Sequence, residues 1–181
     1  MSTPLEILVY GPDDAGKRSN VGVCYESTSP QRRTGPIALL LGNGFARAYE
    51  VRPSLFRVTC PALRLTLLGS SQTPQSVRWE LMRRAAGVLF VADSQRDRQN
   101  VNHRFLEDLE LGLAASGREM AAVPLVLQYN KRDLRGAVGV EEMRTGLNPW
   151  FPLVPDFEAM AGVVHGPGVL DSLEGLVLRL G

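Results

Sequence analysis

The chain has almost no excess charge. Twenty Lys and Arg stand against nineteen Asp and Glu, leaving a formal +1 at pH 7. No broad field is therefore expected to recruit nucleic acid or an acidic membrane. Arginine pairs such as Arg32-Arg33 and Arg83-Arg84 read as solvated faces. Cysteine is nearly missing. Cys24 and Cys60 have no metal-ligand spacing, and no metal site is expected from them. No apolar run is long enough to span a bilayer. The N-terminus enters an apolar strand without a basic n-region or an apolar h-region. Ser2 stands where N-myristoylation needs glycine, and the tail is not a prenylation box. These absences predict a reduced, cytoplasmic protein with no transmembrane segment.

What is present suits one domain over residues 1–181. Hydrophobic residues make up 44% and charged residues 22%, an ordinary globular balance with enough length to bury a core. Apolar runs at Leu5–Tyr10, Ile37–Leu41, Ala48–Val51, Leu63–Leu68, Gly87–Ala92, Val123–Tyr129 and Phe157–Gly162 read as strands. Ser27–Pro36 and Ser70–Gln75 read as loops, with Gly42-Asn43-Gly44 as punctuation. Helical spacing predicts helices from Gly16 to Glu26, over Val77–Ala85, over Val101–Leu113 ending at Gly117, over Val140–Leu147 and over Val169–Leu180. Continuous apolar strands alternating with helices predict an α/β fold with a mostly parallel sheet covered on both faces. In such sheets a ligand sits beyond the carboxyl ends of the strands.

Two motifs fall at that edge. Gly11-Pro12-Asp13-Asp14-Ala15-Gly16-Lys17 follows the first strand. It has the form of a phosphate-binding loop. Glycines let backbone N–H groups approach phosphate oxygens, the following helix adds its dipole, and Lys17 adds a point charge. Asn130-Lys131-Arg132-Asp133 follows a later strand. The Asp133 carboxylate can accept from guanine N1–H and its 2-amino group together, a pattern adenine cannot offer. The Lys131 stem can lie over the base, and Asn130 can tie this loop to the phosphate loop. Together the motifs indicate a guanine-nucleotide site.

Tyr10-Gly11-Pro12, Phe90-Val91-Ala92-Asp93-Ser94-Gln95, Gln128-Tyr129-Asn130-Lys131-Arg132-Asp133 and Val140-Glu141-Glu142-Met143-Arg144 resemble the MglA family of bacterial Ras-like polarity GTPases. The similarity runs from about Leu5 to the C-terminal helix. It implies a Ras-like P-loop domain with a six-stranded sheet, GTP or GDP with magnesium, and a roadblock-fold partner of the MglB kind. It also implies a role in cell polarity or motility. Transferred to this numbering, the nucleotide-binding positions are Gly11, Asp13, Asp14, Ala15, Gly16, Lys17, Arg18, Ser19, Asn130, Lys131, Asp133 and Ala161. Ala161 belongs to Ala159-Met160-Ala161-Gly162, which aligns with the base-capping loop.

The departures cluster where magnesium and the γ-phosphate would sit. The family has Gly-Lys-Thr; this chain has Gly16-Lys17-Arg18. A guanidinium cannot ligate Mg²⁺. Ser19 comes one position late, about 100° around a helix. Asp13 and Asp14 either bring like charge near the phosphates, with Asp13 where bulk crowds the γ-phosphate, or stand as solvated loop acids. Gly69-Ser70-Ser71-Gln72 aligns with the family's Pro-Gly-Gln, so Gln72 is either the water-orienting residue or a plain loop glutamine. Phe45 and Ala46 align with an arginine finger and a magnesium-ligating threonine. Arg47 then either reaches in as a catalytic cation or is a surface arginine. The leading reading is a degenerate, pseudo-GTPase-like member whose hydrolysis is weak or absent. An active switch and a nucleotide-free interaction scaffold stand as alternatives.

Overall fold

A computed structural model describes residues 3–42, 44–68, 73–150 and 152–180. In chain order the elements are β1 (Leu5–Tyr10), α1 (Lys17–Glu26), β2 (Arg33–Leu41), β3 (Gly44–Val51), β4 (Leu63–Leu67), α2 (Gln75–Arg84), β5 (Gly87–Asp93), α3 (Gln99–Ala115), β6 (Leu125–Asn130), α4 (Val140–Leu147), β7 (Asp156–Glu158) and α5 (Val169–Leu178). The strands form one sheet in the order β2-β3-β4-β1-β5-β6-β7. From β4 through β7 all neighbours are parallel, whereas β3 runs antiparallel to both β2 and β4.

The alternation of side chains along the central strands feeds two cores. Leu8, Tyr10, Val88, Phe90, Leu127 and Tyr129 pack with α2, α3 and α4. Ile7, Val9, Leu89, Val91 and Val126 pack with α1 and α5 on the opposite face. Every residue of β5 is buried, as expected of a central parallel strand covered on both sides. The α/β, Ras-like expectation is met.

Seven strands replace the six that the resemblance implies. The seven coincide with the seven apolar runs of the sequence, but β3 starts earlier than expected, at Gly44, inside the segment read as a rewritten switch loop. Gly44–Arg47 is strand, paired with β2 as Leu39↔Ala46, Leu40↔Phe45 and Leu41↔Gly44. Leu39, Leu41 and Ala46 turn inward onto the α2–α3 core, and that burial holds the hairpin to the sheet. Other boundaries move as well. The strand β2 begins at Arg33, within the expected loop. The last strand ends at Glu158 rather than Gly162, because the Ala161 N–H is used by Asn130 and not by a ladder. Among the described residues no helix is long and apolar enough to cross a membrane.

Candidate nucleotide site

The phosphate loop turns sharply between β1 and α1. Gly11 has φ +138 and Gly16 φ +98, and a Cβ at either would collide, with the Val91 carbonyl and the Asn130 side chain respectively. Gly16 is the N-cap of α1, and no side chain caps the helix. The first-turn amides of α1 therefore face outward with the positive end of the helix dipole behind them. Lys17 is buried, and its ammonium donates to the Gly11 carbonyl at 2.6 Å and the Pro12 carbonyl at 2.5 Å. Burial pulls its pKa down to about 8, and the Asp13 and Asp14 carboxylates act against that pull. A bound phosphate would hold the proton on Lys17. Binding must therefore take up a proton above about pH 8. Affinity for phosphate-bearing nucleotide is expected to be flat below that pH and to fall above it. Titration calorimetry over a pH series checks this.

The second loop is tied to the first by one side chain. Asn130, buried at the end of β6, donates from Nδ2 to the Ala15 carbonyl at 2.8 Å. Its Oδ1 accepts the Ala161 N–H at 3.0 Å. Phosphate loop, base-reading loop and capping loop thus meet at Asn130. Arg132 braces the same turn, donating to Glu158 at 2.9 Å and to the Val138 carbonyl at 2.5 Å. Lys131 takes φ +65, and its ammonium donates to Asp93 at 2.8 Å. Asp133 is exposed beyond it.

Two clefts meet at Ser19. One, of about 480 Å³, is lined by Asp13, Asp14, Gly16, Lys17, Arg18 and Ser19, with Leu67 and Leu68 as its apolar wall. The other, of about 710 Å³, lies between α1 and the loop that carries Ala161, Gly162 and His165. Mutual gliding-motility protein MglA of Myxococcus xanthus (strain DK1622) is 34% identical to this chain over 177 residues, covering 94% of the chain and 87% of the relative. The chain belongs to the MglA family of Ras-superfamily small GTPases. No protein-family model matches it.

Measured against the MglA family, the remaining expected positions divide. Gly11, Asp13, Asp14, Ala15, Gly16, Lys17, Arg18 and Ser19 all stand around the turn into α1, with Arg18 and Ser19 exposed. Ala161 is beside Asn130, but its N–H is already donated there rather than held toward a base. Ala46 is buried in the α2–α3 core, and Phe45 is 67% exposed on the opposite face of the hairpin. Arg47 is exposed and sits in register with Leu67 of β4, one strand out from the wall of the phosphate cleft. Gln72 and Ser71 lie outside the described residues.

The motifs alone miss Asp93, Arg98 and Asn102. Asn102, buried on α3, donates to the Asp93 carbonyl at 2.8 Å and accepts the Asp93 N–H at 3.0 Å. Arg98 donates to the Asp13 carbonyl at 2.7 Å. A compositional signal also points to the site. Of twenty basic residues only Lys17 and Lys131 are lysines, and each stands in one of the two loops.

Proposed function

We propose that this chain is a guanine-nucleotide-binding member of the MglA family, built as one small-GTPase-like domain, that holds GDP or GTP with little dependence on magnesium and turns over GTP slowly. Phosphates lie in the Lys17 cleft, and the nucleoside passes Ser19 toward Asn130 and Asp133. The observation that carries this reading is the pair of hydrogen bonds by which Asn130 donates to the Ala15 carbonyl and accepts from the Ala161 N–H. They bring a phosphate-type and a guanine-type loop to one place. In the cell the protein acts as a cytoplasmic regulatory module in polarity or motility, with a roadblock-fold, MglB-like dimer as partner. The β2–β3 ladder favours partner binding that ignores the nucleotide state, because a segment held by strand pairing has no disorder-to-order step to couple to. The test is extraction of nucleotide from the purified protein, with identification by chromatography. GDP or GTP is expected. No extracted nucleotide, together with no binding on titration, overturns the reading.

Magnesium is the part of the family chemistry that the residues do not fit. Arg18 follows Lys17, and its guanidinium offers donors where the cation needs an oxygen lone pair. Chelating Mg²⁺ should change the GDP dissociation constant by less than about twofold, under ~0.5 kcal/mol. Arg18→Thr should restore a dependence on the metal. Strong weakening of wild-type binding by chelation would contradict this and point to Ser19 as the ligand.

A further inference from the structure

Asp93 is the last residue of β5 and is fully buried. A buried carboxylate must be paired and hydrogen-bonded to be tolerated. Its Oδ1 accepts the Gln95 N–H at 3.0 Å. Its Oδ2 accepts from Lys131 at 2.8 Å and lies 3.8 Å from Nε of Arg98. Arg98 in turn holds the Asp13 carbonyl at 2.7 Å. One carboxylate therefore faces two cations, and each cation belongs to or reaches a different loop of the site. The Asn102 clamp on the backbone of Asp93 fixes where that carboxylate stands.

We propose that Asp93 is a positioning residue for guanine-nucleotide binding, setting the Lys131 stem for the base and, through Arg98, steadying the crown of the phosphate loop. The role rests on the nucleotide reading given above. A lysine stem has several free torsions, and ordering it at the moment of binding is costly. With its ammonium anchored on Asp93, the stem is laid across the site before a base arrives. Arg98 links that anchor to Asp13, so the two loops are set by a common charge rather than separately.

The scarcity of lysine supplies a direct readout, since Lys17 and Lys131 are the only lysine amines in the chain. Ligand-free wild type and Asp93→Asn would be acetylated with an N-hydroxysuccinimide ester, and Lys131 acetylation followed by mass spectrometry against the N-terminal amine. Lys131 should react about tenfold faster in Asp93→Asn, a size typical of coupling within one network. GDP binding should weaken by a similar factor, about tenfold. In a Lys131→Met background the same Asp93→Asn change should cost clearly less than the tenfold seen in wild type, because the Lys131 arm is already gone and only the Arg98 arm remains. If thermal melting shows that Asp93→Asn does not fold, the cycle is run with Arg98→Met and Lys131→Met, whose side chains are partly exposed at 29% and 24%. These too should combine non-additively. Additive variants, or unchanged Lys131 reactivity in Asp93→Asn, overturn the proposal while leaving nucleotide binding intact. A wild type without affinity for GDP overturns the nucleotide reading and this role with it.

Discussion

Asp133→Asn should turn a guanine site into a xanthine site. Asp133 stands exposed on the turn that begins at Lys131, where the Leu134 N–H closes back on the Lys131 carbonyl at 3.1 Å. An ionised Asp offers only acceptors, matching the N1–H and 2-amino donors of guanine. An Asn offers one acceptor and one donor, which suits the N1–H and 2-carbonyl of xanthine. Losing a charged two-point contact and facing two donors with one acceptor should cost about 2–3 kcal/mol. GDP affinity should therefore fall by roughly 30- to 150-fold, with a gain for xanthosine diphosphate. Competition against a fluorescent guanine nucleotide measures both. Wild type binding ADP as tightly as GDP would show that Asp133 reads nothing.

Asn130→Ala should produce the largest loss of stability at the site. The residue is 1% exposed, and both partners, Ala15 and Ala161, are buried as well. Truncation leaves the Ala15 carbonyl and the Ala161 N–H without their partner. Each buried unsatisfied group costs about 1–3 kcal/mol, so a total of about 2–6 kcal/mol is expected. At about 2–4 °C per kcal/mol for a chain of this size, melting should drop by roughly 4–24 °C. Guanine-nucleotide affinity should fall in the same variant, since three loops lose their common tie. Differential scanning calorimetry and GDP titration test the two effects. A variant that melts like wild type would show that the loops hold their places without Asn130.

The loops were readable in the sequence where their geometry is local. Gly11, Gly16 and Lys17 follow an apolar run and precede a helix, and the strand and helix limits at Leu5–Tyr10 and Val140–Leu147 match the reading. Asn130 was legible as a tie because its motif is compact. The two strands of the hairpin were legible as Ile37–Leu41 and Ala48–Val51, but the start of the second at Gly44 was not. Phe45, Ala46 and Arg47 carry no strand signal next to Gly42 and Gly44. Their pairing is decided by Leu39 and Leu41 burying against α2 and α3, which is a tertiary fact. Asp93 and Arg98 were missed for a related reason. Asp93 is 38 residues from Lys131, and Arg98 is 85 residues from Asp13. No spacing rule joins positions that only the fold brings together.

The same hairpin puts β2 at one rim of the sheet and leaves β7 at the other. A rim strand normally exposes a row of backbone donors and acceptors that another copy can add to. Here β7 is only three residues long. The register of β2 breaks between Thr34 and Ile37, around Pro36, which has no amide hydrogen to give. Leu40, 85% exposed beside Phe45, thus lies on an edge whose ladder is interrupted. The chain can carry apolar side chains at its rim while offering only a short template for strand-by-strand aggregation.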